Sequence, residues 1–490
     1  MTMIAKYLGI DVSTSGVTML VQNDEGDEGF ATQTFDEGDR TTVHGEPANK
    51  LASIPHVCAL LIRRLAAKGW SFSEGGTLAI SMRQHDTLLL DKDFEPLYEP
   101  ISWQSDVAAE EADSLNASRD VVTECGPVAA RYAVCKAMWL LKQAPDLRAK
   151  VGFVCLTGDY INFALTGELY VSSSDGRSNG LVSAVAPIHA VNTFKQAGLD
   201  PNWLPIVNQS GDIVSTVQAP DQAPSPIWSE LLELLQGWHV AACIGDNHAG
   251  AAGFTLADEE TLCLSAGTSG TAVRLFNPLH FNTLKRQVLC MEYFDRGMLL
   301  DMLPRCCEAY DAWYDALHRP PTHQDIDQDA LKVLALSPEK LVTLRGNDSE
   351  SFPDNWHAQD LSVRAAHLQV SLAGGLLKCA QAVIAESDRA EPIRRFLLTG
   401  GLANAPLFRH AIVVGAEQLA PGCRVLISQF DGPARYQMAA RGALLTAMLP
   451  DNGGKLEQIA KLSHLCPTQG CEDPGEHRSR LQPIMQHLLA

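Results

Sequence analysis

The sequence predicts an α/β protein built from two related halves, and three observations carry that reading. A short phrase occurs twice, each time between apolar runs. Runs of strand length alternate with stretches of helical periodicity. The 490 residues suffice for two full cores. The first copy of the phrase is LGIDVSTSGVTMLV, with Asp11, Thr14, Ser15 and Gly16 at its corner. The second is LCLSAGTSGTAVRL, with Gly267, Thr268, Ser269 and Gly270 at the matching corner. Alternating apolar residues around a small, hydroxyl-rich corner describe a β-hairpin. Such a corner turns backbone N–H groups and Ser/Thr hydroxyls into one small space, which suits phosphate oxygens. Taken singly, either TSG is an ordinary turn. In the same setting twice, they read as two phosphate hairpins facing one nucleotide.

The elements follow in order. Tyr7–Val12, Val17–Gln22 and Phe30–Phe35 read as a meander of strands. A helix is expected over Glu46–Ala67, where Leu51, Ile54, Val57, Leu61 and Leu65 recur at helical spacing. Strands at Thr77–Met82 and Thr87–Leu90 flank a polar corner, Arg83–Asp86. Helices are expected at Asp106–Asn116, Ala130–Gln143 and Thr157–Leu165, with Gly167 as the stop of the last. The second half opens on the Ala/Gly-rich segment Ile244–Gly253, followed by the second hairpin. A long amphipathic helix is expected at Ser362–Glu386, then a strand at Arg395–Leu398 and a helix at Asn404–Leu419. A strand at Arg424–Ser428 and a small-residue helix at Ala434–Met448 complete the core. The tail carries Gly453, Gly454, Pro467, Gly470 and Pro474 as breakers before a short helix at His477–Leu489. The expected domains are therefore 1–245, 246–450 and a tail, 451–490, with the two lobes meeting at a cleft that has one hairpin on each wall.

The net charge of −20 argues against nucleic acid or an anionic membrane as the main partner, since both need a basic face. A phosphate site built locally from backbone amides and a metal ion is compatible with it. The thirteen cysteines sit singly in apolar stretches, apart from Cys306–Cys307, and form no CxxC pair. They read as small core residues in a reducing compartment. The chain opens almost directly on a strand, without the basic and apolar regions of a signal peptide, and no apolar run has the uninterrupted length of a membrane span. The expected location is the cytoplasm. The oligomeric state is left open, a homodimer included.

Several constellations carry chemistry. Asp11 ends a buried apolar strand, and a carboxylate there needs a cation or donors to offset its desolvation. Mg²⁺ shared with nucleotide phosphates would serve, as would a turn that bonds its own loop. Asp246, with Asn247 and His248, begins a run of Ala and Gly that packs closely at a helix start. A carboxylate there can accept a proton from an attacking sugar hydroxyl, or it can cap the helix. The corner Arg83, Gln84, His85 and Asp86 offers the paired donors and acceptors that sugar hydroxyls need, although a solvated hairpin tip has the same composition. Trp103 is either a stacking face or a core residue, with Gln104 and Asp106 beside it. Thr399–Gly401 lets backbone approach an adenosine or phosphate group.

Together these segments resemble the FGGY carbohydrate kinases of the actin/hexokinase/Hsp70-type ATPase superfamily. The match is spread over GIDVSTSG, MRQHDTLLLD, the W-Q segment, GDNHAGAAG, LSAGTSG, LLTGGLANAPLFR and ARGALLTAM. The resemblance implies two ribonuclease H-like domains with a central cleft, and ATP and Mg²⁺ as cofactors. By position, Asp11 looks like the Mg²⁺-associated carboxylate and Asp246 like the catalytic base. Thr14, Ser15 and Gly16, with Gly267, Thr268 and Ser269, look like the phosphate corners. Gly400, Gly401 and Asn404 look like part of the nucleotide pocket. Arg83, Gln84, His85, Trp103, Asp246 and Asn247 would line the sugar site.

GDN and His85 look most like xylulokinases, whose substrates are ketopentoses. Ser13, Thr18, Arg83, Ser105 and Leu402 depart from the family pattern, and two of them, Arg83 and Ser105, fall in the sugar site. The implied function is ATP-dependent phosphorylation of a terminal hydroxyl on a small ketose, D-xylulose first. Ribulose, sedoheptulose, erythritol and other polyols are the alternative acceptors. The non-enzyme alternative is a nucleotide-switched binding protein of the actin/Hsp70 type.

Overall fold

The computed structural model describes residues 2–184, 186–285, 287–318, 321–333, 336–345, 349–386, 391–428, 437–452, 460–461 and 468–490. Its internal contacts divide the chain into two compact units. The first comprises Met1–Ala257, Cys290–Gly297 and Gln437–Ser463, and the second Asp258–Leu289, Met298–Tyr436 and His464–Ala490.

The first unit is built on β1 (Tyr7–Val12), β2 (Gly16–Gln22), β3 (Glu28–Thr34) and α1 (Ser53–Ala67). These are followed by β4 (Thr77–Met82), α2 (Thr157–Thr166), α3 (Ser173–Arg177), β5 (Ile213–Thr216), β6 (His239–Ala241), β7 (Ile244–Gly245) and α4 (Asp246–Gly253). The sheet runs β5-β6-β4-β1-β2-β3, with β7 also on β4. β1, β2 and β3 are antiparallel in sequence order, whereas β4 is parallel to β1, and β6 and β7 are parallel to β4. Leu8, Ile10, Val17, Met19, Leu78 and Ile80 are buried in the sheet's core. Ile54, Leu61 and Leu65 bring the apolar stripe of α1 into the same cluster.

The second unit contains β8 (Thr261–Ala266), β9 (Gly270–Phe276), β10 (Arg296–Leu303), α5 (Cys307–Asp315), α6 (His323–Leu331) and α7 (Leu361–Ala385). β11 (Arg395–Thr399), α8 (Pro406–Leu419) and β12 (Arg424–Ser428) follow. β8 and β9 form an antiparallel hairpin, with β11 parallel to β8 and β12 parallel to β11. The second sheet thus repeats the arrangement of β2, β1 and β4 in the first. α7 is long and apolar enough to span a membrane, but 67% of its most apolar window is buried inside the protein, as in a core helix.

Several expectations shift. The helix expected from Glu46 begins at Ser53, and Glu46–Asn49 is instead a strand paired with Arg40–Val43. Pro47 disfavours helical backbone at Glu46 and cannot donate a helical hydrogen bond. The helix expected from Asn404 begins at Pro406, which suits the first helical position and keeps Ala405 extended. Helices α5 and α6 were not anticipated. The start of the small-residue helix, Ala434, lies outside the described residues, and the helix is observed at Met438–Met448. Gly453, Gly454, Cys466 and Pro467 also lie outside them. No disulfide links the cysteines among the described residues.

The contacts divide the chain later than the expected boundary between residues 245 and 246. Helix α4 belongs to the first unit because it packs backbone to backbone on Met438–Met448. A Cβ at Gly442 would lie 1.7 Å from the Ala249 carbonyl oxygen, and one at Gly9 would lie 2.3 Å from the Leu444 nitrogen. The Ala/Gly composition of both helices is the condition for this approach, which fixes α4 against the strands. Gly442→Ala is expected to lower unfolding stability by about 3 kcal/mol, the upper end for an overpacked site. Denaturant unfolding with an unchanged midpoint would contradict the close packing.

Candidate active site

The parallel register brings three strand ends to one edge of the first sheet. Asp11 pairs with Ser81 and Val12 with Met82, while Ile244 also faces Ser81 and Gly245 faces Met82. Neighbouring strands lie about 4.8 Å apart, so Asp11 and Asp246 emerge two strands apart at the same carboxyl ends. That edge is where open parallel sheets usually bind ligands. Asp11 is buried and accepts the Ser81 hydroxyl at 2.8 Å across the sheet, rather than bonding its own loop. Burial pushes its carboxyl up to about 6, against the pull of Ser81 and Arg83.

Asp246 occupies the first position of α4, and Gly245, not Asp246, is the N-cap residue. Its carboxylate accepts the Asn247 backbone N–H at 2.9 Å. It keeps partial access to solvent. Surrounding protein and then the charge of Asp11 push it up to about 7. A carboxylate near neutrality at a helix start is poised to exchange a proton with a hydroxyl.

The polar corner is buried, not a solvated tip. Arg83 Nε donates to Asp86 Oδ2 at 2.6 Å and Nη1 to the Ser13 carbonyl at 2.7 Å, tying the corner to the first hairpin. Its third nitrogen, Nη2, is buried without a hydrogen-bond partner. Asp86 Oδ1 accepts the Trp103 backbone N–H at 2.9 Å, and the Trp103 indole donates to Thr14 Oγ1 at 2.9 Å. Trp103 is half-buried, so part of its face stays open. Around the Thr14 corner, Ser13 N–H donates to the Gly16 carbonyl and Ser15 is exposed.

Gln84 Nε2 lies 3.1 Å from His248 Nδ1, and Gln84 Oε1 accepts Asn247 Nδ2 at 3.1 Å. His248 is fully buried, and burial lowers its ring to about 3, so it is neutral and accepts at Nδ1. His85 stacks on Tyr132 at 5.5 Å and bonds Asn179 Oδ1 at 3.1 Å through Nδ1. Burial, then Arg131, pushes its ring well below the usual range, so it too is neutral. The first unit therefore gathers Asp11, Thr14, Arg83, Gln84, His85, Trp103, Asp246 and Asn247 into one connected network.

Four further residues packed around that network were not anticipated. Lys136 is fully buried and donates to the carbonyls of His85 at 3.0 Å and Ser102 at 2.7 Å. Burial lowers its ammonium to about 8. Its signal was available as a single cation in the apolar helix AVCKAMWLL. Asn179 Nδ2 donates to the Gln84 and Asp175 carbonyls at 2.7 and 2.8 Å. Asp159 and Asp175 are buried behind Asp246, and the Cys243 thiol lies 3.3 and 3.9 Å from their carboxylates. No local pattern distinguishes these last three from ordinary core polar residues.

In the second unit, the corner Gly267–Ser269 turns its backbone toward α5. The Gly267 carbonyl accepts Cys307 N–H at 2.8 Å, and the Thr268 carbonyl accepts Cys306 N–H at 2.9 Å. Thr268 is exposed and Ser269 half-buried. Gly400 has φ +95°, and a Cβ there would lie 2.2 Å from the Ala266 carbonyl oxygen, so only glycine fits beneath the corner. Beside it a cavity of about 580 Å³ is lined by Cys307, Tyr310, Asp327, Gly401 and Asn404, among others. Asn404 Nδ2 closes its own turn on the Gly401 carbonyl at 2.9 Å. The helices that wall this cavity were missed, although Thr322 and Asp325 carry a capping signature, with Thr322 Oγ1 accepting the Asp325 N–H.

The repeated phrase also shows where the units differ. Aligning the two TSG corners sets Asp11 against Ser265, whose parallel partner is Thr399 as that of Asp11 is Ser81. The first unit alone carries a carboxylate at this position. Folding raises the Asp246 carboxyl from 3.8 to about 7, so the ionised form is the disfavoured one and stability falls as pH rises between those values. Asp246→Asn is accordingly expected to raise Tm more at pH 8 than at pH 5, read by thermal unfolding. A gain no larger at pH 8 would show that the carboxylate is not held against its ionisation.

Comparison with known proteins supplies the context. The model of the N-terminal domain of the FGGY family of carbohydrate kinases matches residues 6–253, about half of the chain. The xylulose kinase of Klebsiella pneumoniae is 26% identical over 277 residues, which cover 54% of this chain and 53% of that one. The chain thus aligns with about half the length of this curated relative. Among solved structures, the xyloylose kinase from Brucella ovis superposes with a TM-score of 0.80 at 21% identity, covering 98% of this chain and 97% of that one. The gluconate kinase from Lactobacillus acidophilus gives 0.82 at 14% identity, covering 99% and 97%. The fold is that of these kinases, with two actin/hexokinase-like domains, and the chain belongs to the FGGY family of carbohydrate kinases.

Proposed function

We propose that this protein transfers the γ-phosphoryl group of ATP to a terminal hydroxyl of a small ketose, with D-xylulose the first candidate. The single observation that carries the reading is the pair of perturbed carboxylates, Asp11 and Asp246, at the strand ends beside the Arg83–Asp86 corner. Asp246 would take or orient the hydroxyl proton, and its position near neutrality suits a base at physiological pH. Gln84 and Asn247 would offer amide groups to the sugar, and neutral His85 an acceptor at Nε2. The side chains and amides of Thr14 and Ser15, with those of Gly267–Ser269, would hold phosphoryl oxygens. The cavity beside Gly401 and Asn404 would receive the nucleoside.

Magnesium fits the donor set. Among the described residues no three His, Cys, Asp or Glu groups converge as a protein-only metal site. Mg²⁺ with nucleotide usually takes one or two carboxylates together with phosphates. Buried Asp11, with its carboxyl raised by desolvation, is such a carboxylate. When bound there, the ion would neutralise charge on the transferring phosphoryl group.

Arg83 supports a second reading of the acceptor within the same reaction. Its unpartnered Nη2 can hold one further acceptor oxygen, which suits a different ketose or polyol as well as D-xylulose. ADP release measured across pentuloses, heptuloses and polyols decides between them. The expected result is ADP formation that depends on sugar, with Asp246→Ala lowering turnover by about 10²–10⁴-fold while ADP still binds. Slow hydrolysis indifferent to every acceptor would overturn the kinase reading, and near-normal turnover in the variant would overturn the base assignment.

A further inference from the structure

The first turn of α4 carries a third polar residue, His248, to which the proposed reaction gives no part. It is fully buried and has no face open to a substrate. What it meets is Gln84. Gln84 Nε2 lies 3.1 Å from His248 Nδ1 and donates to Met291 Sδ at 3.4 Å, while Gln84 Oε1 accepts Asn247 Nδ2 at 3.1 Å. The Gln84 carbonyl is held by Asn179 Nδ2 at 2.7 Å, and a Cβ on Gly245 would lie 3.0 Å from Gln84 Cγ. Gln84 is thus gripped at backbone and side chain, and it is buried.

A side-chain amide keeps its shape when N and O are exchanged, so its neighbours choose between the two orientations. Here the choice follows from the acceptors on one side. The Met291 sulfur can only accept, and neutral His248 accepts at Nδ1 when its proton sits on Nε2. Both require the NH₂ group of Gln84. Its oxygen then faces Asn247, which answers with its own NH₂ and keeps Oδ1 for another donor. Asn247 is half-buried, and its backbone N–H bonds Asp246 Oδ1 at 2.9 Å. Asp175 is the competing partner of His248, but its Oδ1 lies 3.9 Å from Nδ1, beyond hydrogen-bond reach. Burial raises the Asp175 carboxyl well above the usual range and lowers His248 to about 3, so no ion pair draws the ring from Gln84.

We propose that His248 is a positioning residue, which through Gln84 fixes the amide of Asn247 with its oxygen toward the acceptor. The attacking hydroxyl keeps its proton for Asp246, and a neighbouring hydroxyl donates to Asn247 Oδ1. The acceptor class is therefore one with a second hydroxyl beside the reacting one. The orientation stands on hydrogen bonds alone, whereas what it faces rests on the kinase reading.

Two measurements separate these. Long-range proton–nitrogen-15 spectra of the histidine-labelled native protein report which ring nitrogen of His248 carries the proton, with His248→Asn to assign the signal. The expected form has the proton on Nε2 and a bare Nδ1. A proton on Nδ1 would overturn the orientation, whatever the activity. In Gln84→Glu, whose carboxylate cannot donate, a proton is expected to appear on Nδ1; a ring left unchanged would break the link between the two residues. Acceptor kinetics supply the second measurement. His248→Leu is expected to raise the KM for the acceptor about tenfold, the scale of one misplaced hydrogen bond, with the KM for ATP unchanged. His248→Asn, whose oxygen can stand in for Nδ1, is expected to recover most of that loss. An unchanged acceptor KM in His248→Leu, or equal rises in both KM values, would overturn the positioning role. Native protein without sugar-dependent turnover would overturn the kinase reading, and the acceptor-facing role with it, while the tautomer result would stand.

Discussion

The site depends on one constraint: a parallel register that ends three strands together and leaves carboxylates where water is scarce. Asp11, one residue before the end of β1, pairs with Ser81 of β4, and Asp246 directly follows Ile244 and Gly245, which pair with Ser81 and Met82 of the same strand. Each carboxylate is raised by desolvation, and Asp246 is raised further by Asp11. Neither is matched by a buried ion pair of its own, since the nearby cation, Arg83, is engaged by Asp86. An arrangement that disfavours its own charge is costly to the fold and useful to a reaction that brings cations and moves a proton.

Packing keeps this arrangement in place from behind. The glycines and alanines of α4 and of Met438–Met448 bring two helix backbones into contact, so the Asp246 helix cannot slide along the sheet. On the other side, Lys136 and Asn179 hold the carbonyls of the Arg83–Asp86 corner from within the core. The first hairpin is linked to the same corner through Ser13 and Arg83 and through Thr14 and Trp103. A change at the Arg83–Asp86 corner therefore has a direct mechanical route to the first hairpin. In the second unit the same hairpin architecture serves a cavity, with Ser265 in place of the carboxylate.

Much of this was legible in the sequence because it is local. The TSG hairpins and β4, which leads into Arg83, are short periodic segments bounded by turn residues, and they fold where their patterns say. Asp11, Arg83 and Asp246 stood out as charged residues beside apolar strands. The tertiary partners were not legible. Nothing around Asp159, Asp175 or Asn179 separates them from ordinary buried polar residues until distant strands are paired. The return of Met438–Met448 to the first unit, which moves α4 with it, is likewise set by backbone proximity over nearly 200 positions. Helices α5 and α6 were missed, although the Thr322–Asp325 cap was readable.

The most direct measurement is a titration of the Asp246 carboxyl itself, by carbon-13 NMR of aspartate-labelled protein with Asp246→Asn to assign the signal. The account predicts a midpoint of about 7 in the free protein, moved further down by a bound cation than by sodium at equal ionic strength. A midpoint near the ordinary aspartate value of 3.8 would contradict it.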